Sequence, residues 1–138
     1  MSLTRKPLTD TDYRNLAEFR YLLRQFLAFS EDAARRASLS PQQHQALLAI
    51  KGSGGRLTVG ELAVRLAIKP NSAVGLADRL VESELVLRQT GSKDRRKVEL
   101  TLTAIASRKL ADLSQSHRTE LRRLTPMLAP LLKNWGKD

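Results

Sequence analysis

Hydrophobic residues recur every three or four positions in the first part of the chain, which is the spacing of one face of a helix. The pattern runs from Asp10 to Arg36 without an interior glycine or proline and predicts one long helix. Such an apolar stripe is expected to pack against a partner surface. It comprises Tyr13, Leu16, Phe19, Leu23, Phe26 and Leu27.

A serine and a glutamine mark the start of a second helix. Ser40 is followed by Pro41 and, three residues on, by Gln43. This is the arrangement of a capping box with proline in the first turn. The buried side of the helix is expected to consist of Leu47, Leu48 and Ile50.

Residues 58–83 predict two helices joined by a tight turn. Thr58 and Glu61 repeat the capping-box spacing and begin a short amphipathic helix that ends at Leu66. Pro70 begins the next helix, which extends to about Ser83. The inward positions are Val59, Leu62, Ala63 and Leu66 in the first helix, and Ala73, Leu76, Ala77 and Leu80 in the second. The outward positions of the second helix are Asn71, Ser72, Gly75, Asp78, Arg79 and Glu82, with Val74 at the margin.

A charged hairpin follows. Residues 85–90 and 96–102 have the alternation of strands, and Gly91 and Ser92 begin the turn between them. Every residue from 93 to 97 is charged. Arg56 and Leu57 are expected to form a short strand beside this hairpin.

The last part of the chain predicts a basic helix and a short apolar segment. Thr103 is expected to cap a helix that runs to about Leu124, and Pro126 and Pro130 are expected to interrupt it. The segment beyond contains Met127, Leu128, Leu131, Leu132 and Trp135. Amphipathic helices at both ends of the chain favour a homodimer, since their apolar faces are hard to cover within one monomer.

Composition narrows the class of partner. The formal net charge is +10, and residues 51–97 contribute +5, from ten basic and five acidic residues. Such an excess of basic residues favours a polyanionic binding partner. The chain has no cysteine and only two histidines, so disulfides, thiolate sites and a convincing metal site are not expected. No cofactor and no catalytic arrangement is predicted. With no membrane span and no signal core in the sequence, we expect a cytoplasmic protein.

Five groups of residues stand in a specific order and spacing that covers nearly the whole chain: residues 39–48, Glu61-Leu62-Ala63, Ala77-Asp78-Arg79-Leu80, Asp94-Arg95-Arg96 and Leu102-Thr103. In these residues the sequence resembles the MarR family of bacterial winged helix-turn-helix regulators. The resemblance implies a homodimer whose two heads read a pseudo-palindromic operator in double-stranded DNA. The family often has glycine where this chain has Ala67, Glu84 and Ala106.

The resemblance and the local pattern together give candidate DNA-binding residues. The entry and outer face of the second short helix would meet a major groove, and the hairpin tip would reach phosphates or a minor groove. The alternatives are an ordinary polar helix face and a solvated turn with an internal salt bridge. By matching position, Arg96 is favoured over Arg95. The candidates are Lys69, Asn71, Ser72, Val74, Gly75, Arg79, Lys93, Asp94, Arg95 and Arg96. For Arg79, an intramolecular bridge or a phosphate contact is favoured over a base contact.

An effector pocket is also implied by the resemblance, for a small aromatic or phenolic ligand. Its candidate residues are His44, Tyr13 and Phe19. The alternatives are a packed histidine and an aromatic stripe that belongs to the core or dimer interface. His117 is expected to be an ordinary surface residue.

The expected fold is therefore mainly α with a small β-hairpin wing, in one domain of residues 1–138. Residues 10–37 and 103–138 would form the dimerisation helices, and residues 40–102 the winged helix-turn-helix. The expected function is a sequence-specific transcriptional regulator that acts as a repressor. The alternative is a dimeric protein-interaction module, or a non-specific architectural DNA binder, that has lost operator recognition.

Overall fold

The computed structural model describes residues 5–91 and 93–135. The mainly helical fold with a small antiparallel sheet confirms the expected fold class. The elements in chain order are α1 (Asp10–Arg36), α2 (Pro41–Gly52), β1 (Leu57–Thr58), α3 (Val59–Leu66), α4 (Pro70–Glu82), β2 (Val86–Thr90), β3 (Val98–Leu102) and α5 (Ala104–Trp135).

The three strands form one antiparallel sheet in the order β1-β3-β2. Leu100 of β3 lies opposite both Leu57 and Arg88. The short strand was expected at Arg56 and Leu57 but begins one residue later. The last strand was expected from Arg96 but begins at Val98, because the turn closes through a bond from the Lys97 N–H to the Asp94 carbonyl at 3.1 Å. Ser92, expected in this turn, lies outside the described residues.

Both predicted capping boxes are present. The Ser40 hydroxyl accepts from the Gln43 N–H at 3.0 Å, and the Gln43 side chain accepts from the Ser40 N–H at 2.9 Å. Thr58 and Glu61 make the same pair of bonds at 3.1 and 3.2 Å. Each box satisfies two amides that a helix start otherwise leaves open, so these polar residues fix where α2 and α3 begin.

The chain divides into two compact units, and we call residues 31–115 the head. Its core is aliphatic, and the sequence has no phenylalanine, tyrosine or tryptophan in this range. The inward stripe predicted for α4, Ala73, Leu76, Ala77 and Leu80, is buried as expected. The burial expected for Leu48 is wrong. This residue is 50% exposed, and Ala46 and Leu47 are the buried neighbours on α2.

The other unit, which we call the terminal unit, comprises residues 5–30 and 116–135 of the described chain. Its described core consists of Leu22, Leu124 and Leu131, with Phe19, Phe26 and Leu128 partly buried against it. Leu22 was not in the predicted stripe of α1. Four members of that stripe are instead 43–59% exposed: Tyr13, Leu16, Leu23 and Leu27.

The expected interruption at Pro126 and Pro130 is wrong, since α5 continues through both prolines to Trp135. An interior proline costs about 3 kcal/mol. Burial of a leucine side chain contributes roughly 1.5–3 kcal/mol, and in this segment Leu131 is buried in the terminal unit while Leu128 is partly buried. This packing favours a continued helix where local sequence predicts a stop.

His117 was expected on the surface but is half-buried in the terminal unit. Its Nε2 lies 2.7 Å from the Ser30 hydroxyl, and its ring meets Phe26 and Phe29 edge-on, with centroids 5.8 and 5.4 Å away. These partners come from α1, far away in sequence. The polar composition around residue 117 therefore gave no sign of them.

Three helices end in the same way. Ser38, Ala67 and Glu84 have left-handed backbones, with φ of 60°, 54° and 59°. After each, the next N–H bonds to the carbonyl five residues back, at 2.9 to 3.0 Å, which is the Schellman arrangement. The residues that follow are the apolar Leu39, Ile68 and Leu85. All three contribute to the head core, so tertiary packing supports turns that glycine would form more easily.

Replacement of Glu84 by glycine is expected to stabilise the protein. A left-handed L residue costs about 1–2 kcal/mol, whereas the extra freedom of glycine in the unfolded chain offsets about 0.4–1 kcal/mol. The net gain in the free energy of unfolding should be about 0.5–1 kcal/mol, measured by urea denaturation. The matched control is Glu82→Gly within α4, which should lose about 1 kcal/mol. A loss at both positions would contradict the strained backbone at Glu84.

Candidate nucleic-acid interface

The outer face of α4 is polar and open. Because the inward stripe is buried, Asn71, Ser72 and Arg79 are exposed, and Val74 is 51% exposed among them. Lys69 precedes the helix in an extended conformation and makes no side-chain capping bond, which leaves helix-start amides open to an acceptor such as a phosphate. This face therefore offers donors, one methyl-bearing side chain and a cation.

Gly75 lies within α4 and is half-buried. A Cβ built at this position would lie 3.4 Å from the Arg79 guanidinium, which is ordinary contact. Alanine would therefore fit in the protein alone. The packing of the head does not explain why the residue is glycine.

The wing, defined as β2, β3 and the described turn residues 91 and 93–97, holds one arginine in a fixed arrangement. Asp94 Oδ1 accepts from the Arg96 backbone N–H at 3.0 Å and from its Nε at 3.2 Å. The bond from the Arg96 backbone, then the one from its side chain, and the nearby charge of Lys97 lower the pKa of the Asp94 carboxyl. The Arg96 side chain is still 91% exposed, so its guanidinium is oriented and remains accessible.

Arg88 joins the wing to α4. Its guanidinium pairs with Asp78 on the outer face of that helix, ten residues earlier in the chain. We expected an intramolecular bridge or a phosphate contact for Arg79. Among the residues the structure describes, the bridge on this face belongs to Arg88, and Arg79 remains exposed. Arg88 could not be predicted as part of the site, because strand alternation predicts only the side of the sheet on which a residue lies.

A polar cleft of about 440 Å³ opens beside the wing. Lys97 lies close enough to the carboxylates of Glu61 and Asp94 to lower the pKa of both. For Glu61 the larger cause is its capping bond from the Thr58 backbone. Gly91 also lines the cleft. Neither Lys97 nor Gly91 was among the predicted site residues.

The three residues predicted for an effector pocket have different environments. His44 is buried in the head, with 5% of its surface exposed, which agrees with the packed-histidine alternative. Tyr13 is 59% exposed and Phe19 half-buried, both in the terminal unit. A pocket formed by these residues therefore remains a prediction.

Taken together, a helix pair joined by a tight turn, an exposed polar face on the second helix and a basic wing define a winged helix-turn-helix protein of the DNA-binding class. No helix in the described ranges is long and apolar enough to cross a bilayer.

A family model described as MarR family matches residues 37–97. Over these residues the chain is similar to MarR family DNA-binding transcriptional regulators, and the relatives it matches are transcriptional regulators rather than enzymes. It is similar to the HTH-type transcriptional repressor MdtR of Bacillus subtilis, at 29% identity over 71% of this chain and 72% of that protein.

Two solved structures share the fold. One is a MepR variant from S. aureus bound to an oligodeoxyribonucleotide, with 18% identity, coverage of 94% and 98% of the two chains and a TM-score of 0.68. The other is CouR from Rhodococcus jostii RHA1 bound to p-coumaroyl-CoA, with 22% identity, coverage of 72% and 69% and a TM-score of 0.63.

The bonds at the wing tip predict a pH-dependent contact. The pKa of Asp94 should lie below the usual aspartate value of about 3.9. Because this pKa is lowered, the bonds to Arg96 are complete above the usual value and are lost as pH falls through the pKa of Asp94. A carboxyl NMR titration should show this, with the Arg96 amide signal following the same midpoint.

Two variants check the cause of this shift. Arg96→Ala should raise the pKa of Asp94 part of the way towards normal, because the backbone N–H of residue 96 remains. Arg95→Ala should leave it unchanged, since Arg95 is not among the groups that lower it. An Asp94 carboxyl that titrates normally in the unaltered protein would refute the wing-tip geometry.

Proposed function

We propose that this protein is a sequence-specific repressor that binds a pseudo-palindromic operator as a homodimer and is released by a small aromatic or phenolic effector. One observation carries the DNA-binding part. The exposed polar face of α4 and the oriented Arg96 of the wing belong to the same head, and the pair between Asp78 and Arg88 joins their elements. Because it would bind operator DNA, we expect the protein to act in the cytoplasm.

In this proposal α4 enters the major groove with its first turns. Asn71 can pair with an adenine edge, and Val74 can contact a thymine methyl group. Ser72 and Lys69 approach bases or phosphates near the helix start, while Arg79 neutralises a phosphate farther along. Gly75 lets the backbone approach a base edge, which gives a reason for glycine that the packing of the head does not.

The wing supplies the second contact. Arg95 and Arg96 would insert into the adjacent minor groove, whose negative potential attracts guanidinium groups. Asp94 orients Arg96, and Lys93 adds a charge for the neighbouring phosphates. Because the Arg96 bonds already exist in the protein alone, less side-chain freedom is lost on binding.

The homodimer is supported by apolar surface on the terminal unit. Large hydrophobic side chains are 40–59% exposed there, and exposed apolar side chains grouped on one surface mark protein interaction sites. They are Leu8, Tyr13, Leu16, Tyr21, Leu23, Leu27, Leu121, Met127, Leu132 and Trp135. Burial of this surface against a second copy would place two heads on one duplex.

Repression and effector release are supported by the relatives. MdtR is a repressor, and CouR binds a phenolic acyl-CoA. An effector that favours a head spacing unlike that of the operator would weaken DNA binding, and by linkage DNA would weaken effector binding equally.

Selection from random duplex DNA in about 150 mM salt tests the proposal. A sequence-specific dimer should enrich two inverted half-sites about one helical turn apart, and bind them at least roughly a hundredfold more tightly than scrambled DNA. Enrichment of a single half-site would contradict the dimer. Equal binding to all sequences would favour an architectural protein, and the absence of binding would favour a protein-interaction module.

Removal of both wing arginines should weaken binding to the selected DNA. Arg95→Ala with Arg96→Ala is expected to cost at least roughly tenfold in affinity and to make the salt dependence shallower by about one to two phosphate equivalents. The measurement is fluorescence anisotropy over a range of salt concentrations. The matched control is Arg35→Ala with Arg36→Ala, which removes the same charge from the exposed end of α1. Equal losses in both variants would show that only net charge matters.

A further inference from the structure

Gly91 lies at the point where the wing turns, and its surroundings leave no room for a side chain. It is buried, and its N–H bonds to the Lys97 carbonyl at 2.8 Å. A Cβ built on its backbone would lie 2.4 Å from the Asp94 carbonyl oxygen. It would also lie 3.2 Å from the Lys97 carbonyl and from a Glu99 carboxylate oxygen.

The restriction is one of space. Among the glycines that the structure describes, the φ of Gly91 is not left-handed, whereas those of Gly54 and Gly55 are. Real Cβ atoms essentially never come within 3.0 Å of another heavy atom, and the nearest atom here is backbone, not the end of a flexible side chain. Any other residue at position 91 therefore requires the Asp94 backbone to move.

The Asp94 backbone also carries the carboxylate that orients Arg96. The Asp94 carbonyl accepts from the Lys97 N–H at 3.1 Å, while its carboxylate holds the Arg96 N–H and Nε. Displacement of the carbonyl disturbs the turn bond and carries the carboxylate with it. The effect of a methyl group at residue 91 thus reaches a guanidinium that is five residues away in sequence.

We propose that Gly91 is a positioning residue for DNA recognition: its missing side chain lets the wing turn close, and this closure sets where Arg96 stands. The inference rests on the proposed function of the wing. Gly91 itself would not contact DNA. It would act through Asp94 and Arg96, so its contribution should disappear when the wing arginines are removed.

The test is Gly91→Ala in the full chain, with the selected duplex as probe. We expect affinity to fall at least roughly fivefold, with a shallower salt dependence, as for loss of an oriented arginine contact. The pKa of Asp94, measured by NMR without DNA, should rise towards the ordinary aspartate value. Thermal unfolding should remain cooperative, since the described head core does not include the wing tip.

The matched control is Gly52→Ala near the end of α2. A Cβ there meets nothing within 4 Å, so the same methyl group should leave DNA affinity and the Asp94 pKa unchanged. A double-mutant cycle supplies the decisive comparison. In the Arg95→Ala and Arg96→Ala background, Gly91→Ala should change affinity by less than about twofold.

The outcomes separate this inference from the proposed function. If the wing arginines matter but Gly91→Ala binds DNA normally, the role of Gly91 is wrong and the proposed function stands. If the arginines do not matter, the proposed function of the wing fails first. An equal loss in both backgrounds, an unchanged Asp94 pKa or the loss of cooperative unfolding in Gly91→Ala would each overturn the positioning role.

Discussion

The burial of one face of α4 determines what the head presents to a partner. Ala73 and Ala77 are fully buried beside Leu76 and Leu80, and small side chains allow neighbouring elements to approach closely. Once the helical period fixes these positions inward, Asn71, Ser72 and Arg79 must face outward. Asp78 also lies outward, where it meets Arg88 and ties the wing to the same surface. The orientation of the whole interface follows from this packed stripe.

Local patterns predicted the helix starts well and the distant packing poorly. The capping boxes at Ser40 and Thr58 depend on residues three apart, so the sequence contains all of their partners. Leu48 and His117 were misplaced, because their burial depends on elements far away in the chain. The stop expected at Pro126 is wrong for the same reason, since α5 continues and packs Leu131 into the terminal unit, against elements far away in the chain.

The candidate interface likewise contains some features that local sequence predicts and others that depend on residues far away in the chain. The exposed face of α4 and the charged turn could be predicted from periodicity and composition, and the structure confirms the exposure of these residues except Gly75 and Asp94, which are half-buried. The pairing of Asp94 with Arg96 could be predicted, because the two lie two residues apart. The role of Arg88 was not, since its partner Asp78 lies on another element. Gly91 was noted only as a turn residue, because a steric restriction depends on backbone positions that no residue pattern encodes.

The distribution of aromatic residues has a further consequence. The head contains no phenylalanine, tyrosine or tryptophan, whereas Trp135 and both tyrosines lie in the terminal unit. Near-ultraviolet absorbance and intrinsic fluorescence therefore come entirely from that unit. The head is optically silent at these wavelengths, so the terminal unit can be followed by itself without any label. The head also offers bases no phenylalanine, tyrosine or tryptophan ring on which to stack, so its exposed face presents hydrogen-bonding groups, charge and aliphatic contact instead.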